Sequence, residues 1–238
     1  MRTAYTVFRN LYNVRKMTMK LVLASGSQRR RELLTMCGYD YEIIVSNADE
    51  TIDENDPESF VRALSFRKAK EVFDRLFAAG RRDFAVIGSD TVVAFQKDGE
   101  TKPVIIGKPK DAEDAVRILS MLSGKTHRVF TGVSVIADIP DENAAAQCSI
   151  REKAEIQTEC SITEVTFETL SPDEITDYVN SGDPLDKAGS YGIQGPFGMF
   201  VREIRGNYFT VIGMPIPVLY KMLKKIGILP HSFYERIE

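Results

Sequence analysis

Behind a turn of small residues, Ser25-Gly26-Ser27, the chain places Arg29, Arg30 and Arg31 in succession, a grouping whose chemistry is the gripping of an anion. Lys20-Leu21-Val22-Leu23-Ala24 reads as a short buried strand, and Gln28 to Cys37 reads as a helix capped by Ser27 and stopped at Gly38. The arginines then fall in the first turns of that helix, where the positive dipole end disfavours each cation by roughly 0.3–1 kcal/mol. A strand, a Ser/Gly turn and a helix N-terminus make a phosphate cradle, and an anion between dipole and arginines would resolve the conflict. A solvated basic turn is the plainer reading and would suffice for any single arginine.

Other residues break their local pattern in ways that suit the same chemistry. Asp90 sits inside the apolar run from Ala85 to Ala94, where a charge is costly unless it is paired or holds a metal. Gly88 beside it permits close approach of another group. A structural acid bonded to Ser or Thr hydroxyls is the alternative. Lys68 falls near the centre of the stripe Val61, Leu64, Val72, Leu76, where it either snorkels to water or reaches a charge. Lys108 stands between Gly107 and Pro109 on a stiff mount, and Asp49-Glu50 follow a strand-like segment as paired acids. Both could equally be solvated turn residues. The loop from Asp186 to Gly195 carries Lys187, Tyr191 and Gln194 among glycines that let backbone wrap a ligand. Taken together, cations for phosphates, carboxylates for a divalent cation and a glycine-rich wall describe a nucleotide-phosphate hydrolase.

Composition sets the limits. The 238 residues, 43% hydrophobic and 27% charged, suit a globular enzyme, as one large domain or two lobes sharing a cleft. A net charge of −3 gives no bulk affinity for nucleic acid, and no apolar run is long enough to cross a bilayer. The three cysteines, Cys37, Cys148 and Cys160, lack metal spacing and read as reduced cytosolic thiols. With only His127 and His231 a histidine metal centre is excluded, so any metal must be held by carboxylates, which favours Mg²⁺ or Mn²⁺. Residues 1–19 hold Arg2, Arg9, Arg15 and Lys16 with no acid, a composition that resembles an organelle transit peptide. A plain N-terminal extension is preferred, with the cytoplasm as the expected compartment.

Strands and helices must alternate to position these groups. Asp56 caps a helix that starts at Pro57 and runs to Gly80, Phe84 to Phe95 is a strand, and Val104-Ile105-Ile106 is a second. Asp111 caps a helix with Ala115, Ile118, Leu119 and Leu122 on one face. Lys125 to Ala137 is a strand, 138–160 a long hairpin excursion, and Ile162 to Leu170 the returning strand. Ser171-Pro172-Asp173-Glu174 is a capping box, Met199 to Ile212 a hairpin turning at Arg205-Gly206-Asn207, and 217–226 a last helix. The alternation argues a mixed α/β sheet flanked by helices.

The run Leu23 to Leu34 resembles the N-terminal signature of the Maf family of house-cleaning nucleoside triphosphate pyrophosphatases, also called septum-formation inhibitors. Gly88-Ser89-Asp90-Thr91-Val92-Val93, Gly107-Lys108-Pro109, Leu122 to His127 and Asp186 to Gly195 resemble further blocks in the same order, so the likeness spans about Lys20 to Gly227. Gln28, where the family usually has proline, and the long 138–160 excursion depart from it. The resemblance implies one catalytic domain over 20–238, with an elongated two-lobed fold related to inosine triphosphatases and a homodimeric assembly. It implies hydrolysis between the α and β phosphates. Ser25, Arg29, Arg30, Lys68 and Lys108 would contact phosphates. Glu50 and Asp90 would bind a divalent cation, with Asp90 the base, and Gln194 would help hold metal or substrate. Thr91, Asp186-Lys187 and Gly192 to Gly195 look like the pyrimidine branch, acting on dTTP and UTP. A purine-selective pyrophosphatase of the inosine triphosphatase kind and a non-catalytic nucleotide-binding regulator of division stand as rivals.

Overall fold

The computed structural model describes residues 19–97, 99–139 and 154–231. The extension up to residue 18, Cys148 and the middle of the 138–160 excursion lie outside them.

Seven strands form one mixed sheet: β1 (Lys20–Leu23), β2 (Tyr41–Ile43), β3 (Phe84–Phe95), β4 (Val104–Ile106), β5 (Thr126–Asp138), β6 (Ala154–Phe167) and β7 (Val201–Arg205). Their order is β2-β1-β3-β5-β6-β7, with β4 on the flank of β3. β1 is parallel to both β2 and β3, so helices must carry the chain back: α1 (Gln28–Met36) between β1 and β2, and α2 (Pro57–Ala78) between β2 and β3. The pairings of β3 with β5, β5 with β6 and β6 with β7 are antiparallel. Among the described residues four further α-helices follow: α3 (Ala112–Leu122), α4 (Pro172–Asn180), α5 (Tyr208–Ile212) and α6 (Ile216–Lys225). No described helix is long and apolar enough to cross a membrane.

The period of two sorts each strand between faces. Val22, Ala24, Val86 and Ile136 pack under α2 with Ala69, Val72 and Phe73. On the other face there are two cores. Leu21, Leu23, Ile87, Val133 and Val135 meet Leu33 and Leu34 of α1 and Leu219 and Leu223 of α6. Val93, Phe95, Val129 and Phe167 meet Ile118, Leu119 and Leu122 of α3 and Ile175 and Val179 of α4. These are the two lobes, set at opposite ends of one sheet face.

The helix α2 lies unusually close to the sheet. A Cβ on Gly88 would sit 2.2 Å from the Ser65 carbonyl oxygen, and one on Gly132 would sit 2.1 Å from that of Val61. Gly132 is the register partner of Asp90, so glycines surround the acid on the face that α2 covers.

Three expectations need correction. Ser27 precedes α1, but its side chain makes no capping bond; its N–H donates to Ser25 Oγ instead, at 3.2 Å. The strand expected from Ile162 begins at Ala154, because pairing with β5 continues to Asp138↔Ala154. The hairpin expected at 199–212 has only one strand, β7. Asn207 ends the turn by accepting from the Phe209 N–H at 2.8 Å, which starts helix α5.

Candidate active site

The geometry begins with a notch in the sheet. β1 leaves the flank of β3 at the pair Leu23↔Ile87, and β4 joins that flank at Val93↔Ile106. Residues 88 to 92 of β3 therefore have no strand beside them on that flank, while β5 pairs with them on the other. β1 runs parallel to β3 and β4 antiparallel, so both flanking strands point their carboxyl ends into the notch. The turn after β1 brings Ser25 to Arg30, and the turn after β4 brings Gly107 and Lys108. This is the physics of ligand crevices in open sheets, where loops leaving strand ends converge. A cavity of about 670 Å³ fills the notch, and Ser25, Arg29, Arg30, Glu50, Lys68, Asp90, Thr91, Lys108 and Gln194 all line it. These nine residues thus converge on one space, whereas Arg31 and Asp49 do not line it.

Its centre is an ion-pair triad. Lys68 Nζ is 2.8 Å from Asp90 Oδ1 and 2.8 Å from Glu50 Oε1. The Lys68 and Asp90 side chains are 12% and 13% exposed, whereas Glu50 is 68% exposed. The acid in the apolar strand is therefore paired, which answers its burial cost. Lys68 reaches it because the glycines seat α2 so close, and Glu50 closes the triad from the solvent side.

The three arginines take three different roles. Arg30 donates Nε to the Gly213 carbonyl at 2.8 Å, Nη1 to Ser25 Oγ at 3.1 Å and Nη2 to Thr91 Oγ1 at 3.4 Å. Burial pulls its pKa down while Asp90 pushes it up; a guanidinium stays cationic throughout. Arg30 is thus a brace between β1, β3 and the α5–α6 junction, with two N–H donors left for a ligand. The polar chain continues through Thr91 to Thr131, 3.0 Å apart, and from Thr131 to the Thr210 carbonyl at 2.7 Å. Arg29 reaches across the cavity to Asp186 Oδ2 at 3.2 Å. Arg31 turns away and donates to the Gly26 carbonyl at 3.3 Å. Lys108 and Gln194 are exposed, and their side chains have no hydrogen-bond or ionic partner among the described residues.

The glycine-rich wall is tied down by a network that sequence reading missed. Tyr178 on α4 donates to Asp183 Oδ2 at 2.5 Å and accepts the Gly192 N–H at 3.0 Å. Lys187 Nζ bridges Asp183 Oδ1 at 3.0 Å and Asp186 Oδ1 at 2.7 Å. Burial would raise the Asp186 pKa, but the Lys187 hydrogen bond and the charges of Arg29 and Lys187 hold it below the usual range. Behind the wall, Tyr191 meets buried His127, whose Nε2 lies 3.0 Å from the phenol oxygen. Burial pulls the His127 pKa down to about 3. The signal for this network was present as Asp183 and Asp186 just ahead of Lys187, but only the fold shows which wall it supports.

No group of three or more His, Cys, Asp or Glu that could hold a metal occurs among the described residues. Two carboxylates do converge on one cationic point, and two carboxylates with substrate phosphates and waters are what Mg²⁺ ordinarily takes. The donor set fits a cation that arrives with its phosphate ligand. Cys37 and Cys160 are unpaired, and burial pushes the Cys160 thiol up to about 12, so it is inert.

The family model for Maf-like protein matches residues 20–226. A protein of Agathobacter rectalis named dTTP/UTP pyrophosphatase is 41% identical over 217 residues, covering 88% of this chain and 98% of that one. One of the same name from Bacillus thuringiensis subsp. konkukian is 42% identical over 210 residues, covering 88% and 96%. Among solved structures, the Staphylococcus aureus Ham1 protein aligns with 14% identity and a TM-score of 0.44 over 87% of this chain and 98% of its own.

Proposed function

The chain belongs to the Maf family, and on that premise we propose that it is a pyrophosphatase cleaving dTTP and UTP between the α and β phosphates. The products are the nucleoside monophosphate and pyrophosphate, and residues 20–238 act as one catalytic domain. The observation that carries the reading is the convergence of Arg29, Lys68 and Lys108 with Asp90 and Glu50 in one notch. The relatives named for this activity support it.

In this reading the triphosphate lies along the notch. Arg29, Lys108 and the uncapped amides of α1 take the phosphate oxygens. The nucleobase goes to the apolar lining formed by Val93, Val129 and Tyr191, with the Gly192–Gln194 wall reading its edge. Asp90 accepts a proton from water at its free oxygen, and that water attacks the α phosphorus in line as the bond to the bridging oxygen breaks. Lys68 holds Asp90 by its other oxygen and, with Arg29 and Lys108, stabilises charge on the departing pyrophosphate. A divalent cation, Mg²⁺ or Mn²⁺, held by Glu50 and Asp90 with help from Gln194, would neutralise phosphate charge and lower the barrier to water ionisation. Assembly as a homodimer belongs to the same proposal and is read by light scattering on a sizing column.

The test is pyrophosphate release from UTP, dTTP, CTP, ITP and 7-methyl-GTP with Mg²⁺ or Mn²⁺. Thymine and uracil should be turned over best, because a wall built for their carbonyl–NH–carbonyl edge leaves polar groups unpaired against other bases, at a cost of up to about 10⁴-fold. Preference for ITP would move the assignment to the purine pyrophosphatases, comparable kcat/KM for 7-methyl-GTP would end the pyrimidine reading, and binding without release would leave a regulator.

A further inference from the structure

After β2 the chain runs through residues 44 to 55 with no regular secondary structure, yet Glu50 of this segment lands on Lys68. Burial does not explain the placement, since the Glu50 side chain is 68% exposed. The anchoring comes from α2. Arg75 Nη2 donates to the Val45 carbonyl at 3.0 Å. One turn earlier, Glu71 Oε2 accepts the Asn47 N–H at 3.0 Å. One turn earlier again, Arg67 Nη1 donates to the carbonyls of Asp49 and Thr51, at 2.9 and 2.7 Å. Those two carbonyls flank Glu50. The neighbouring Lys68 then takes the Glu50 carboxylate.

The steps match because of elementary geometry. Four helical residues rise about 6 Å, and two residues of irregular chain can span up to about 6.6 Å. Each turn of α2 therefore meets the next even step of the segment as the two run in opposite directions. Glu71 also pairs with Arg75 at 3.4 Å, which fixes the stripe itself.

We infer that the polar stripe Arg67–Glu71–Arg75 of α2 is a template that sets the register of residues 45–51 and so holds Glu50 at the site. Its members are positioning residues and touch no substrate. The consequence for catalysis rests on the reading of Glu50 as a cation ligand, whereas the templating of the segment does not.

Two measurements separate these. Amide hydrogen exchange over residues 45–51 is followed in metal-free, nucleotide-free protein, and pyrophosphate release from UTP is titrated with Mg²⁺ and Mn²⁺. Arg67→Ala and Glu71→Ala should each speed exchange of this segment about three- to ten-fold, the weight of one or two net hydrogen bonds. Each should raise the half-saturating cation concentration by a similar factor, with KM for UTP within two-fold of the parent. Arg67→Lys, whose ammonium can still meet both carbonyls, should recover part of both effects. Lys70→Ala, off the stripe and paired to Asp74, should change neither. Unchanged exchange in both alanine variants overturns the template. Faster exchange with an unaltered cation requirement overturns its link to Glu50. If the parent releases no pyrophosphate from any triphosphate, the functional reading fails and the exchange result alone decides the template. Should Arg67→Ala not fold, Glu71→Ala carries both readouts.

Discussion

His127 makes the stability of this protein depend on pH between 6.5 and about 5. The imidazole is 2% exposed, edge-on to Phe167 and Tyr191, and its Nδ1 is buried without a partner. Burial pulls its pKa to about 3 from an ordinary 6.5. Below pH 6.5 the unfolded chain binds a proton that the folded chain refuses, so stability is full above that pH and falls as pH drops toward 3. The slope approaches 1.4 kcal/mol per pH unit, giving a loss of about 2 kcal/mol by pH 5. Carboxylates with depressed values, such as Asp186, Asp56 and Asp114, keep their contribution above their unfolded pKa near 4 and fade only below it. Urea unfolding followed by far-ultraviolet circular dichroism at pH 7.5, 6.5, 5.5 and 5.0 reads the slope, and His127→Gln should flatten it. Constant stability from pH 7.5 to 5.0 in the parent, or an equal slope in the variant, would refute the reasoning.

Asp90→Asn keeps shape and loses charge, so turnover should fall about 10²–10⁴-fold in pyrophosphate release while the circular dichroism spectrum is retained. The arginines should separate: Arg29→Ala should raise KM for UTP with little change in Tm, whereas Arg30→Ala, which removes one hydrogen bond from each of three protein oxygens, should cost about 1–3 kcal/mol in urea unfolding. Gly132→Ala should lower stability by at least about 2 kcal/mol and weaken turnover together, because the new Cβ meets the Val61 carbonyl of α2, and the helix must lift off the sheet and carry Lys68 away from Asp90.

Local signals carried most of the framework. The apolar run Phe84–Phe95 is a strand over its whole length, and Asp56, Asp111 and the Ser171 box cap helices as their residue types require. Lys68 and Asp90 stood out because each was a charge in an apolar context, and each turned out to explain the other. What failed was non-local. The start of β6 is polar, with β7 beside it only at Glu164–Phe167, so its strand character comes from pairing with β5 and leaves no burial pattern to read. That Arg30 also braces the carbonyl of Gly213, far along the chain, could not be read from its own neighbourhood. The stripe Arg67–Glu71–Arg75 has the spacing of an ordinary solvated helix face, and only the course of residues 45–51 reveals what it holds.

The notch in β3 also bears on solubility. A run of unpaired main-chain N–H and C=O groups is the usual template for strands of other chains to add to, and so a seed for aggregation. Here the bare stretch is bounded at both ends by β1 and β4, and Arg30 and Lys68 cover its two faces. A foreign strand cannot slide in from the side without displacing a flanking strand. The protein can thus leave peptide groups open to a small ligand in the middle of its longest parallel-to-antiparallel junction, without offering them to another copy of itself.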